Sequence, residues 1–177
     1  GRGTPSHFGL EQEVDVYMGT FSKSLASLGG YMAGKSRIVD YVRHNSRPFI
    51  FSASVPPASC AAALAALNVL EEEPELPERL LRLSDFFREA LKQRGMSIRE
   101  SRTPIVPIFT YTADRTLRIA MELYKQGLFV NTVLPPAAPA DGCMLRTSLM
   151  ATLTEPLLEE AADILSRVLS MPEYAMK

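Results

Sequence analysis

Apolar positions along the chain recur at two spacings, and the spacing tells one element from the next. Val14, Val16 and Met18 alternate with polar residues, the period of a strand with one buried face. A Gly19-Thr20 turn follows, then a run of small residues ending at Gly29-Gly30. Upstream, Gly1 to Glu13 is polar and reads as a loop. From about Lys35 to Asn45, Ile38, Val39 and Val42 form a stripe that predicts a helix. Phe49, Ile50 and Phe51 then read as a short apolar strand within Arg47 to Pro57. Pro56-Pro57 open a further helix, because the first helical N–H groups lack partners and proline sacrifices nothing there. That helix, about Ala58 to Glu72, is Ala- and Leu-rich on nearly every face, which implies burial on several sides. Glu71 to Glu73 reads as its solvated end.

The next helix runs from near Pro77 to Arg94, with Leu80, Leu83, Phe87 and Leu91 three and four residues apart and Gly95 as its stop. From Met96 onward the pattern changes to strands separated by helices. Ile105 to Tyr111 is strand-like, and Asp114 is placed to cap a helix whose inner face is Leu117, Ala120, Met121 and Tyr124, ended by Gly127. Leu128 to Leu134 reads as a strand that stops at Pro135-Pro136, and three prolines stiffen the loop that follows. In Met144 to Leu149, Met144, Arg146 and Ser148 point one way and Leu145, Thr147 and Leu149 the other. Thr154 caps the last helix, with Leu157, Ala161, Leu165 and Val168 on its apolar face.

Composition adds exclusions rather than a function. The chain has 177 residues, 46% hydrophobic and 22% charged, ordinary for a globular protein with a sizeable core. Its 19 basic and 20 acidic residues leave no basic excess to attract nucleic acid. No apolar run reaches the roughly 20 residues of a membrane span, and the first residues do not read as a signal peptide, so the cytoplasm is the default location. Cys60 and Cys143 make no disulfide framework and have no metal-type partners at short spacing; both read as bystander thiols, and no metal is expected.

Two residues carry candidate chemistry. Lys23 stands alone between Ser22 and Ser24 in a stretch of minimal bulk, unlike a surface lysine set among other charges on a helix. A lysine amine held by a ligand can condense with an aldehyde, pyridoxal phosphate above all, and Thr20, Ser22 and Ser24 offer hydroxyls for a phosphate. On residue type alone an ordinary loop lysine is the better reading, since single lysines are common. Arg146 sits mid-strand among apolar and hydroxyl residues; its guanidinium forks onto carboxylates, but an edge-strand arginine facing water has the same sequence. His7 and His44 read as structural and as a solvated or capping residue.

The stretch Thr20-Phe21-Ser22-Lys23-Ser24-Leu25-Ala26-Ser27-Leu28-Gly29 resembles the pyridoxal-phosphate attachment signature of class II aminotransferase-like enzymes. Gly1 to Leu10, Arg47 to Pro57 and Leu145 to Thr154 resemble, in the same order, the α-oxoamine synthase family. That family includes 8-amino-7-oxononanoate synthase, 2-amino-3-ketobutyrate CoA ligase, 5-aminolevulinate synthase and serine palmitoyltransferase. The resemblance implies an α/β fold of the fold-type I pyridoxal-phosphate transferases: residues 1–75 the C-terminal part of the large domain, 76–96 a linking helix, 97–177 a small α+β domain. It implies pyridoxal 5'-phosphate as cofactor, Lys23 as its covalent attachment, Thr20 and Ser22 as phosphate ligands, and Ser52 and Ser54 reaching the cofactor of a partner subunit in a homodimer. Arg146 would grip the carboxylate of an amino acid (glycine, alanine or serine) that is condensed with an acyl-CoA, usually with loss of CO2.

Arg47 to Pro57 and the segment Gly127 to Pro139 look most like bacterial serine palmitoyltransferase. Two positions depart from the family pattern: Ala53, where many members have threonine, and Leu134, where that branch often has arginine. Family members run to about twice this length, with the ring-binding aspartate and ring-stacking histidine upstream of the Gly1-Arg2-Gly3 motif. The chain therefore reads as a C-terminal half, expected to show little or no turnover by itself. A class II aminotransferase and a non-catalytic dimerisation or folding fragment are the alternatives.

Overall fold

A computed structural model describes residues 2–174. The chain divides into two compact units, Gly1–Pro74 and Glu75–Lys177.

The first unit contains short helix α1 (Thr4–His7), strands β1 (Val16–Thr20) and β2 (Gly30–Gly34), and helices α2 (Ser36–Asn45), α3 (Arg47–Ile50) and α4 (Pro57–Glu72). The polar segment expected as a loop thus includes one helical turn, and Gly30 to Gly34 is a strand that the small-residue run concealed. β1 and β2 form an antiparallel ribbon pairing Val16 with Gly34 through to Thr20 with Gly30. Gly19 lies opposite Tyr31, whose ring occupies the space a Cβ would need, and Tyr31 stacks on Phe21 at a centroid distance of 6.0 Å.

Gly19 and Thr20 are strand residues rather than a turn, and Val16 and Met18 are exposed rather than on a buried face. Two further expectations fail in this unit. Phe49 and Ile50 are helical and Phe51 lies in the turn after them, not in a strand. Ser46 caps the turn by accepting the Phe49 N–H, and Pro48 supplies a helical φ, so local backbone chemistry outweighs the apolar side chains. α4 follows the double proline as expected, yet among its described residues only Ala63 is buried; Leu64, Leu67 and Val69 are exposed.

The second unit contains α5 (Leu76–Gln93), β3 (Ile105–Tyr111), α6 (Ala113–Lys125), β4 (Asn131–Val133), β5 (Cys143–Ser148), α7 (Glu155–Leu169) and a short 3-10 turn at Pro172–Tyr174. Its antiparallel sheet has the order β3-β5-β4, with Arg146 flanked by Pro107 on one side and Asn131 on the other. Of the strand expected at Leu128 to Leu134, only Asn131 to Val133 pairs. One sheet face, with Val106, Ile108 and Leu145, enters a core completed by Leu83, Phe87 and Leu91 of α5, Ile119 and Leu123 of α6, and Leu158, Ala162, Leu165 and Val168 of α7.

The strand alternation holds at Met144 to Leu149: Leu145 and Leu149 are buried, while Arg146 and Ser148 are exposed. The α6 face is corrected. Thr116, Ile119 and Leu123 point inward, whereas Leu117, Met121 and Tyr124 are exposed and Ala120 is half-buried. A buried hydroxyl pair, Thr110 Oγ1 to Thr116 Oγ1 at 2.6 Å, lets a polar residue occupy the inner row and rotates the stripe. The residue before α6 is Thr112, and Asp114 lies in the first turn, bridged to Arg118. In α7 the stripe is likewise turned: Leu158 and Ala162 are buried, Leu157 is exposed and Ala161 half-buried. Thr154 begins that helix without a side-chain cap.

Candidate active site

Lys23 lies in the connection from β1 to β2, and hydrogen bonds give that connection a defined shape. Phe21 N–H donates to Gly29 O (2.9 Å), Ser27 N–H to Phe21 O (2.8 Å) and Ala26 N–H to Lys23 O (3.0 Å). The last bond closes a turn whose end residue, Ala26, has φ 48, a left-handed conformation uncommon for alanine. Gly29 has φ +98, and a Cβ there would meet Val55 Cγ2 at 2.6 Å, so glycine is required both for the backbone and for contact with the segment before α4. Ser27 Oγ donates to the Ser59 carbonyl of α4 at 2.7 Å.

Thr20 and Ser22 are brought together. Their hydroxyls lie 2.8 Å apart, Ser22 N–H donates to Thr20 Oγ1 (3.2 Å), and Thr20 Oγ1 also reaches Gly29 O at 3.3 Å. Lys23 itself is exposed, and among the described residues no side-chain hydrogen bond or ion pair engages it. Ser52 and Ser54 are exposed in the irregular segment before α4, with Ala53 between them. The arrangement offers an accessible lysine next in sequence to a pair of convergent hydroxyls. That donor set suits an aldehyde bearing a phosphate: the amine for the carbonyl, the hydroxyls for phosphate oxygens.

In the second unit Arg146 occupies the central strand, on the sheet face away from the helices. It too is exposed and without a side-chain partner among the described residues, a fork able to receive a carboxylate. Beside the end of β5 lies a cavity of about 510 Å³, whose lining includes Leu128, Phe129, Arg146, Met150, Leu157 and Ile164. Leu134 is half-buried at the end of β4.

The remaining candidates are bystanders to this geometry. His44 Nδ1 lies 2.7 Å from the Asp40 carbonyl one turn earlier on α2, and His7 packs edge-on against Phe8. Cys60 is exposed on α4, and Cys143 is buried at the start of β5. Among the described residues no cluster of three metal-type ligands occurs, and no helix is long and apolar enough to cross a membrane. Sequence reasoning missed Ser27, Ala26 and Val55. Ser27 looks no different from Ser22 and Ser24 along the chain, because its role depends on a residue 32 positions away.

Residues 1–165 match the model of the family described as aminotransferase class I and II, and the chain belongs to that family. Within it, the relatives are α-oxoamine synthases. The chain is 43% identical over 173 residues to a serine palmitoyltransferase of Sphingobacterium spiritivorum, covering 98% of this chain and 43% of that protein. It is 42% identical over 170 residues to an 8-amino-7-oxononanoate synthase of Citrifermentans bemidjiense, covering 95% of this chain and 44% of that one. Among solved structures, the Sphingomonas wittichii serine palmitoyltransferase superposes with a TM-score of 0.87 at 29% identity, over 96% of this chain and 43% of that one. A further structure, described as SPT with a PLP internal aldimine, gives the same TM-score at 30% identity. The α/β fold is that of these enzymes, and the chain spans a little over two-fifths of the length of the relatives it matches.

Proposed function

We propose that this chain is part of a pyridoxal-phosphate-dependent C-acyltransferase that condenses an amino acid with an acyl-CoA, its substrates closest to those of serine palmitoyltransferase. The observation carrying the proposal is the solvent-accessible Lys23, without a side-chain partner among the described residues, in a loop whose Thr20 and Ser22 hydroxyls converge. The amine and hydroxyls fit the aldehyde and phosphate of the cofactor, which when bound supplies an electron sink for a carbanion at the amino-acid Cα. Lys23 would hold the cofactor covalently, and its Nζ would serve to move the proton at the amino-acid Cα. Thr20 and Ser22 hold phosphate oxygens, and Ser52 and Ser54 do the same for a partner subunit in a homodimer. Arg146 receives the amino acid's carboxylate through two parallel N–H···O bonds, orienting the substrate. The proposed setting is the cytoplasm.

The test uses the intact protein that carries this chain, supplied with pyridoxal phosphate, long-chain acyl-CoA and, separately, glycine, alanine and serine. Thiol release with one amino acid, abolished in Lys23→Ala, is the expected result. Amination of an added keto acid without thiol release would establish an aminotransferase instead. Absence of both, with no lysine-dependent visible absorbance, would leave a binding or folding module. The 177-residue chain assayed alone is expected to release little or no thiol, since it spans 43% of the Sphingobacterium relative.

A further inference from the structure

We infer that Ser27 is a positioning residue for Lys23, and that it acts by pinning the lysine loop to the first turn of α4. The inference rests on the proposed role of Lys23 and concerns a residue with no assigned part in it. Ser27 is half-buried and is held at both ends: its N–H closes the loop on Phe21 O (2.8 Å), and its hydroxyl donates to Ser59 O (2.7 Å). The other hydroxyls of the loop behave differently. Those of Thr20 and Ser22 engage each other, and among the described residues that of Ser24 has no partner, so Ser27 alone sends its hydroxyl out of the loop to another element.

The Ser59 carbonyl has a second lone pair and can accept this bond without giving up its helical one. A second tie lies two residues on, where Gly29 packs its Cα face against Val55. Ser27 and Gly29 therefore join the loop to 55–59, the stretch directly after the proposed phosphate-binding Ser52 and Ser54. Lys23 is linked to Ser27 through Ala26, whose N–H bonds Lys23 O and whose φ of 48 is unfavourable for an alanine left unsupported. Release of the Ser27 hydroxyl frees the turn to relax, and the Lys23 backbone is then held less firmly relative to the hydroxyl pair. The effect would fall on where the amine is held, with the amine itself unchanged.

The test treats the 177-residue chain with pyridoxal phosphate, reduces the imine to a secondary amine with borohydride, and maps labelled lysines by mass spectrometry. Wild type, Ser27→Ala and Ser27→Thr are compared, with amide exchange measured on each. Preferential labelling of Lys23 over Lys35, Lys92 and Lys125 is expected in the wild type. In Ser27→Ala the Lys23 labelling rate should fall about three- to tenfold, the size expected for losing one hydrogen bond. The Phe21, Ala26 and Ser27 amides should exchange faster while α2 amides stay unchanged, and Ser27→Thr should restore both readouts. Preferential labelling that is equal in wild type and Ser27→Ala overturns the positioning role and leaves the reading of Lys23 intact. Faster exchange throughout Gly1–Pro74 in Ser27→Ala also overturns it, marking Ser27 as a general stabiliser. If Lys23 is labelled no faster than Lys35 in the wild type, the reading of Lys23 falls and the inference with it.

Discussion

The two units use similar amounts of helix and ribbon and differ in what those elements enclose. Glu75–Lys177 closes three helices over one face of a three-stranded sheet, and Leu91, Val106, Ile119, Leu123, Leu145, Leu165 and Val168 are shielded from water. Gly1–Pro74 buries only Ala63 among its described residues, while Met18, Leu28, Phe49, Phe51 and Leu64 are exposed. Large contiguous apolar patches, where proteins expose them, serve as contact surfaces. The proposed lysine site lies in the unit with almost no core of its own. Its order comes from backbone hydrogen bonds and glycine contacts, whereas Arg146 rests on a sheet braced by packed helices.

The largest expected effect follows directly. Leu165→Ala should cost the second unit about 2–5 kcal/mol, the range for a buried leucine whose cavity closes only in part. Leu64→Ala, a similar truncation on α4, should change the first unit by less than about 0.5 kcal/mol because its side chain is already hydrated. Amide exchange resolved by residue would measure both, and equal losses would erase the distinction. A cruder cut at the same contrast is limited proteolysis. First cleavages are expected within 1–74, in the connections at 21–29 and 51–56, leaving a resistant fragment that begins near Glu75. A fragment resistant from its first residues would show that the first unit is as firmly closed as the second.

This contrast also governs what was legible in the sequence. Element positions were readable wherever period or punctuation was strong, as in the Leu80 to Leu91 stripe, the double proline before α4 and the alternation in β5. Which face turns inward was less so. On α6 a threonine belongs to the core because Thr110, on the neighbouring strand, satisfies it, a fact no local pattern contains. The apolar run at Phe49 to Phe51 misled because strand-like composition lost to a serine cap and a proline. At the candidate site, Lys23, Thr20 and Ser22 can be nominated from the sequence because they are adjacent in it. Ser27 and Val55 escaped because their partners Ser59 and Gly29 are distant along the chain.

A hydroxyl pair occurs in each unit and gives a matched test of intermediate size. Thr110 and Thr116 are buried at 2.6 Å; Thr20 and Ser22 are exposed at 2.8 Å. Thr116→Val keeps the shape and removes one partner, leaving the Thr110 hydroxyl only the Cys143 carbonyl at 3.2 Å. A loss of about 1–2 kcal/mol is expected in chemical denaturation, because the Thr112 carbonyl also loses the Thr116 hydroxyl and keeps only its backbone N–H. Ser22→Ala should cost under about 0.5 kcal/mol, since water replaces the lost partner. A larger cost for Ser22→Ala than for Thr116→Val would mean that the exposed loop carries more of the fold than the shielded sheet.

The smallest effect is electrostatic. Arg94 donates from Nε to Asp163 (2.8 Å) and from Nη2 to Glu159 (2.6 Å), tying the end of α5 to α7, and it is only about one-fifth exposed. The hydrogen bond from Arg94 holds the Asp163 carboxyl below its ordinary range. A depressed folded-state pKa contributes stability that is complete above the unfolded value, about 3.9 for aspartate, and is lost as pH falls through the lower folded one. Melting curves between about pH 5 and pH 2 should therefore show a gap between wild type and Arg94→Ala that narrows with acidification. The Arg43–Asp40 pair of α2, longer at 3.3 Å and with both side chains more than half exposed, should show no such gap in Arg43→Ala, because solvent screens it. A gap of constant size down to pH 2 would mean that Arg94 acts through the packing of its methylene stem and its bond to the Ala90 carbonyl, neither of which titrates.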